Sequence, residues 1–248
     1  MARSPAVGHS LRILTYLAGR VQPAPAATIA RTLGLPRSST YRLLGEMADL
    51  GFVIHYPDDH GWGLGVAAAE LASGYQRQAP LQRVARPLLQ RLVDTTTHNA
   101  HLAVLHGRDV LYVIEERAAG RPLLVTDVGV RLPATHTASG LALLAALPAR
   151  QVTALYPSPD LLVPGQGAPT SVTALRRELV AVRRRGHARE VGTVTEGLSS
   201  VADAVLDRQG QPLAAVAITF PTELDEAGTE ELVAACLGTA ATLTARLA

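Results

Sequence analysis

The chain has 248 residues, 48 % of them hydrophobic, so it can bury the core of one large or two ordinary domains and is not a disordered protein. Its formal net charge is +2, and its single cysteine, Cys236, excludes an intrachain disulfide and favours a reducing compartment. The longest uncharged run, residues 132–149, contains two prolines and a histidine and makes a poor membrane span, and no secretory signal opens the chain. We therefore expect a soluble cytoplasmic protein that does not bind membranes.

The first helices indicate a winged helix-turn-helix domain over residues 1–65. Three leucines, Leu11, Leu14 and Leu17, repeat at helical spacing after Ser10, which is a suitable N-cap. A second helix is predicted over residues 26–33. It ends at a glycine, the residue that best tolerates the left-handed conformation found after a helix C-terminus.

The third helix follows directly, since Pro36 fits a first helical turn and Gly51 can end the helix. Alternating residues in "FVIHY", turn residues in "PDDHG" and a returning "WGLG" then predict a hairpin wing, with Trp62 packed at its base. Tyr41, Leu44 and Ala48 are expected to face inward. The polar residues expected to face outward are Arg37, Ser38, Ser39, Thr40 and Arg42.

Charge in this region favours a polyanionic partner. Residues 1–45 contain six arginines and neither Asp nor Glu. An α-helix fits the major groove of DNA, where Arg can donate two hydrogen bonds to guanine and first-turn amides attract phosphate. The alternatives are that these arginines are solvated surface charges, or that the winged helix is a dimerisation or protein-binding module.

The remainder predicts a linker helix over residues 66–79 and an α+β domain over residues 80–248. A long helix, kinked at Pro87, leads into two strands, "HLAVLHG" and "DVLYVIEE", and then into further extended structure. The following helices are "TASGLALLAAL" and "SVTALRRELVAVRRRG", and three strands and a terminal helix complete the domain. The pattern is typical of an antiparallel sheet flanked by helices.

No catalytic motif supports an enzyme. Nucleotide-binding loops and the G-x-S-x-G motif are missing, and the histidines lack the spacing of a metal site, so we expect neither a cofactor nor a metal. One alternative is a methyltransferase with a dimerising winged helix, although its cofactor loop is missing. Another is a DNA-binding protein whose second domain only dimerises.

Several stretches together resemble the IclR family of bacterial transcription regulators over nearly the whole chain. They are "SLRILTYLA", "TIARTLGLPRSSTYRLLGEMADLGFV", "VARPLLQRLVDTT", "VGVRLPATHTASGLALLAAL" and "ELVAVRRRGHAREVGTVTEGLSSVADAVLDRQGQPLAAVAITFP". The resemblance implies a DNA-binding winged helix, a linker helix and a GAF-like effector-binding domain. It also implies a homodimer or dimer of dimers, a pseudo-palindromic double-stranded operator and a small-molecule effector, often an organic acid.

The resemblance also implies positions for these contacts. DNA-reading positions fall on Arg37 to Arg42. Effector contacts would fall on Leu124, Thr137, Ala138, Ser139, Gly140, Glu190, Ser200, Ala217 and Thr219. The chain departs from the family pattern at "RGHAREVG", which offers Glu190 alone where two or three acids are usual. It also has Ala204 where a proline is usual, and it adds Asp203. From the residues themselves, "THTASG" is equally consistent with an anion site at a helix N-terminus and with an ordinary helix cap.

Overall fold

The computed structural model describes residues 4–57, 60–78, 80–121 and 126–247, which fall into two compact units, Met1–Ala79 and Pro80–Ala248. The α-helices are α1 (Pro5–Ala18), α2 (Ala26–Leu33), α3 (Arg37–Asp49), α4 (Val66–Gln78), α5 (Pro80–Thr96), α6 (Ala138–Ala146), α7 (Ala149–Leu155), α8 (Val172–Arg185) and α9 (Glu226–Leu247). The strands are β1 (Val53–Tyr56), β2 (Gly61–Leu64), β3 (Asn99–His106), β4 (Asp109–Glu116), β5 (Arg131–Pro133), β6 (Ala188–Val191), β7 (Leu198–Leu206) and β8 (Pro212–Pro221).

The first unit is the predicted winged helix. Helices α1 to α3 pack around a core that includes Ile13, Ile29 and Leu44, each fully buried, and β1 pairs with β2 as the wing. The predicted start of α1 is wrong: the helix begins at Pro5, so Ser10 lies inside it. Leu11, expected on the apolar face, is 59 % exposed. The buried positions of α1, Ile13 and Leu17, are four residues apart.

The turn between α2 and α3 is fixed by backbone hydrogen bonds. Gly34 adopts the left-handed conformation, with φ of 64° and ψ of 35°, and the Leu35 amide donates to the Ala30 carbonyl at 2.8 Å. The guanidinium of Arg12 donates to the Leu33 carbonyl at 2.6 Å. A cation at a helix C-terminus is favourable. One of the N-terminal arginines therefore stabilises the fold.

The second unit is the predicted α+β domain, built on an antiparallel sheet with strand order β5-β4-β3-β8-β7-β6. Helices α5 and α9 cover one face, where Leu89, Phe220 and Cys236 are buried. Helices α6 and α8 cover the other face, with Leu143 and Leu179. Both faces of the sheet are mainly apolar, and a group of polar side chains lies under α6.

Some elements were missed or are shorter than expected. The sequence did not indicate α7 or the 3-10 helix Ala134–His136 that precedes α6. Pro87 lies inside α5, and the terminal helix, expected from Glu223, begins at Glu226. Among the helices of the described residues, none is both long and apolar enough to cross a bilayer.

Replacing either of two glycines of the first unit by alanine should change the stability of this domain, in opposite directions at the two positions. Gly34→Ala places a side chain at a φ of 64° and should lower the stability of this domain by about 1–2 kcal/mol. Gly8 lies inside α1, exposed and with open space around it, so Gly8→Ala should raise stability by about 0.5–1 kcal/mol. Chemical denaturation followed by circular dichroism measures both changes. A destabilising Gly8→Ala would contradict the helical assignment of α1.

Candidate functional site

Helix α3 turns a different face to the core than the sequence suggested. Its buried residues are Thr40, Leu43, Leu44 and Met47, whereas Tyr41 is 54 % exposed. The Thr40 hydroxyl donates to the Pro36 carbonyl at 3.1 Å inside the helix. The predictions that Thr40 faces outward and Tyr41 inward are therefore wrong. Consecutive helical residues are rotated by about 100° around the helix axis. The orientation that buries the two leucines and the methionine therefore leaves the tyrosine ring exposed.

The exposed face of α3 carries Arg37, Ser38, Tyr41 and Arg42, and Ser39 at its margin is half-buried. No side chain of the described residues caps the helix start at Pro36, and no acid lies in the first turn. The first-turn amides have no partner within the helix, as at every helix N-terminus. The face therefore combines cationic side chains, hydroxyls and free amides, all of which suit phosphate and base edges.

Arg42 also forms an ion pair with Glu46 at 3.5 Å, one helical turn later. Both side chains are more than half exposed, and such pairs contribute about 0–1 kcal/mol. This pair can be broken at little cost. In the wing, Trp62 is half-buried against the core, and its ring lies 4.8 Å from that of His55. It pairs with His55 next to the turn, and not at the base of the hairpin as expected.

A cavity in the second unit lies between the start of α6 and the sheet. It encloses about 370 Å³ between atoms, but only a small part is wide enough for a water molecule. Seven of the nine predicted effector positions line it: Thr137, Ala138, Ser139, Glu190, Ser200, Ala217 and Thr219. Leu124 lies outside the described residues. The cavity wall also includes His101, Tyr112, Thr126, Val194, Thr195 and Leu198, which the sequence analysis did not propose.

Gly140 is not part of the wall but sets the position of α6. A Cβ at Gly140 would lie 2.0 Å from the carbonyl oxygen of Ala134, so only glycine allows α6 to begin against the preceding 3-10 helix. The Gly140 amide donates to the Thr137 hydroxyl at 2.9 Å. Thr137 is thus a helix cap, and the first-turn amides of Ala138 and Ser139 remain without an intrahelical partner at the cavity wall.

A chain of hydrogen bonds crosses the floor of the cavity from strand to strand. The Ser200 hydroxyl donates to Glu190 Oε1 at 2.8 Å and lies 3.0 Å from the Thr219 hydroxyl, which is 3.3 Å from His101 Nε2. The other Glu190 oxygen accepts from the Thr193 amide at 3.0 Å. Glu190, Ser200 and Thr219 are direct partners across β6, β7 and β8. Their side chains therefore share the face that α6 covers.

Burial dominates the electrostatics of these groups. It raises the pKa of Glu190, although the hydrogen bonds from Ser200 and Thr193 favour the carboxylate and offset part of that rise. Burial and then the nearby Glu190 charge raise the pKa of Tyr112. Burial, assisted by the charge of Arg117, lowers the pKa of His101 to about 4, so His101 is neutral at physiological pH.

The described ranges hold no group of three or more His, Cys, Asp or Glu placed to bind an ion. His98 Nδ1 donates to the Thr96 carbonyl at 2.6 Å, and His136 Nε2 donates to the Val163 carbonyl at 2.8 Å. Cys236 is buried among apolar residues, and burial raises the pKa of its thiol to about 12, so the thiol is unreactive.

Two family models match the chain. The IclR helix-turn-helix domain matches residues 6–55, and the C-terminal part of the bacterial transcriptional regulator IclR matches residues 74–245. The transcriptional repressor IclR of Escherichia coli is 27 % identical over 229 residues, which cover 89 % of this chain and 84 % of that protein. The repressor AllR of Klebsiella pneumoniae is 26 % identical over 219 residues, covering 87 % and 79 %.

Solved structures show the same architecture. A transcriptional regulator from Alicyclobacillus acidocaldarius has a TM-score of 0.85 at 22 % identity and covers 100 % of both chains. An IclR homologue from Microbacterium hydrocarbonoxydans, solved in complex with 4-hydroxybenzoate, has a TM-score of 0.82 at 25 % identity and covers 98 % of both chains.

Acid should destabilise the protein through His101. Between pH 6.5 and about 4 the unfolded chain binds a proton at this residue and the folded chain does not, so stability falls as pH falls through that window. The full loss is about 3 kcal/mol. Urea unfolding at pH 7 and pH 4.5 should show a smaller pH effect in His101→Gln than in the wild type. In His106→Gln, which alters an exposed histidine of the same strand, the wild-type pH effect should persist; equal effects in all three proteins would contradict the assignment.

Proposed function

Because the chain belongs to the IclR family of bacterial transcriptional regulators, we propose that α3 reads a pseudo-palindromic operator and that a small organic acid in the cavity under α6 controls this binding. The protein would act in the cytoplasm as a regulator and not as an enzyme. The single observation that carries the DNA part of the proposal is the exposed face of α3, with two arginines, Ser38, Tyr41 and no acid in its first turn.

On this proposal Arg37 and Arg42 contact bases or phosphates, Ser38 and Ser39 contact phosphates at the helix start, and Tyr41 replaces Thr40 on the reading surface. Arg42 would leave its exposed pair with Glu46 on binding, since that pair costs little to break. Phosphate contacts would supply much of the affinity, so operator binding should weaken steeply with salt.

A homodimer or dimer of dimers would place one α3 at each operator half-site. Support comes from apolar side chains of the first unit that remain largely exposed. Val7 and Leu11 lie one turn apart on α1, and Val66 and Leu71 lie on α4, each more than half exposed. Burying such side chains against a second copy would remove apolar surface from water.

The effector part of the proposal depends on the cavity. Unpaired first-turn amides of α6 and the buried hydroxyl of Ser139 would bind a carboxylate, with Thr137, Ala138 and Gly140 holding that helix start in place. Glu190, Ser200, Ala217 and Thr219 would contact the rest of the molecule. The complex of a similar protein with 4-hydroxybenzoate supports an organic acid as the ligand class. Binding would shift an equilibrium between arrangements that differ in DNA affinity.

Replacing Arg42 should weaken operator binding without harming the fold. Fluorescence anisotropy with duplex from the protein's own promoter region should show a loss of about 1–3 kcal/mol for Arg42→Ala, and relaxed specificity at one base position. Arg37→Ala should weaken binding similarly. Arg150→Ala removes the same charge from an exposed site on α7 and should have no effect, whereas Glu46→Gln should preserve or raise affinity. Unchanged affinity in both α3 arginine variants would rule out this reading helix.

Small carboxylates should stabilise the protein through Ser139 and Ser200. An acid at one hundred times its Kd adds about 2.7 kcal/mol to the free energy of unfolding, a Tm increase of several degrees. Thermal-shift screening should find this increase in the wild type and in Ser158→Ala, whose serine lies outside the cavity, and little of it in Ser139→Ala or Ser200→Ala. Stabilisation that survives both cavity mutations would place the ligand elsewhere.

A further inference from the structure

Three buried side-chain atoms lack a hydrogen-bond partner in the described ranges, and their residues are close together at one end of the cavity. They are His101 Nδ1, Glu115 Oε1 and Thr126 Oγ1. His101 is 1 % exposed and Thr126 6 %, and the side chain of Glu115 is 2 % exposed. His101 and Thr126 line the cavity, and Glu115 pairs directly with His101 across β3 and β4. Buried polar atoms are almost always satisfied, so three in one place indicate a binding role.

The chain of hydrogen bonds determines what His101 presents. While Glu190 is ionised its oxygens only accept, so the Ser200 hydroxyl donates to Glu190. Ser200 then accepts from the Thr219 hydroxyl, and Thr219 accepts from His101 Nε2–H. Since the lowered pKa keeps His101 neutral, its other ring nitrogen, Nδ1, carries a lone pair and can only accept.

Glu115, like His101, presents an unpaired hydrogen-bond acceptor. Its Oε2 accepts from the guanidinium of Arg117 at 2.7 Å, which leaves Oε1 as a free acceptor opposite His101. Direct cross-strand neighbours have Cβ atoms about 5 Å apart. Two acceptors cannot satisfy each other, so each of them needs a donor from outside the pair. The Thr126 hydroxyl beside them can donate or accept.

We propose that the effector is an organic acid carrying a hydroxyl or N–H group remote from its carboxylate, and that His101, Glu115 and Thr126 form the subsite that binds this donor. This inference rests on the proposed effector cavity. The carboxylate end is held at the start of α6, and the donor end enters the acceptor pair of β3 and β4. The subsite explains why a strand of mainly apolar residues places a neutral histidine in the interior.

The test compares acids that differ only in the remote group. Isothermal titration of the full-length protein with 4-hydroxybenzoate, benzoate and 4-methoxybenzoate, and with 4-hydroxybutyrate and butyrate, covers two lengths. The hydroxyl member of a series should bind at least tenfold more tightly than its deoxy and methoxy counterparts, because only a donor satisfies both acceptors. Equal binding of the hydroxyl and deoxy acids in both series would overturn the donor subsite.

Glu115→Gln sharpens the test. Its amide oxygen can keep the contact with Arg117 while its NH₂ group donates to His101 Nδ1. The free variant should therefore melt at a higher temperature than the wild type, and its preference for hydroxyl acids should fall close to one. Glu116→Gln serves as the control, since it alters the next carboxylate of β4, which pairs with Arg86 and does not line the cavity, and it should preserve the preference. A variant that kept the full hydroxyl preference would overturn the assignment of Glu115.

Failure of the two proposals can be told apart. If acids bind, and Ser139→Ala abolishes that binding, but hydroxyl groups confer no advantage, the cavity holds the effector and only the donor subsite is wrong. If no acid of either series binds, or if binding ignores Ser139→Ala, the proposed effector cavity itself is wrong and the donor subsite is wrong with it.

Discussion

One buried carboxylate orders the polar interior of the second domain. Glu190 lies on the edge strand β6, and burial makes its ionised form depend on hydrogen-bond donors. Ser200 and the Thr193 amide supply them. Each hydroxyl that donates toward Glu190 must accept from the next, so the direction of every bond out to His101 follows from a charge three strands away. Such a directed chain of hydrogen bonds favours a single arrangement of its side chains, and it ends at the unpaired Nδ1 of His101.

The same network separates the cavity into two ends of different chemistry. Helix α6 contributes amides and the positive end of its dipole near Ala138 and Ser139. The opposite end, at His101 and Glu115, contributes lone pairs. Tyr112 and Leu198 also line the cavity, and Tyr112 packs edge-on against His101 with ring centroids 5.7 Å apart. A ligand of this cavity must carry an acceptor at the α6 end and a donor at the opposite end, which is a stricter requirement than volume alone.

Local signals allowed much of the fold to be predicted. Gly34 ends α2 as expected, and β3 and β4 were located correctly because a clear turn separates them, although helices cover both faces of their sheet. The face of α3 could not be predicted in this way, since Thr40 and Tyr41 are adjacent and either can follow an apolar periodicity. Tertiary packing determines which face of α3 is buried: it buries Leu43 and Met47 and leaves the tyrosine ring exposed to solvent.

The residues of the cavity could be predicted only in part, because tertiary contacts between distant parts of the chain bring them together. The resemblance to a known family named seven of the residues that line it, while residue patterns alone indicated only the start of α6. His101 was overlooked because its partner Thr219 is 118 residues away in the chain. Its role depends on the register of β3 against β8, and strand pairing over such a separation leaves no local trace in the sequence.

The narrowness of the cavity has a kinetic consequence. On the proposed function, an effector larger than water does not fit the cavity as described, so its association requires the wall to move. Once inside, the guest is enclosed by the same wall, and its escape waits for the same event. Because association and dissociation are both slow, the occupancy of the cavity would follow sustained changes in metabolite concentration and not brief fluctuations.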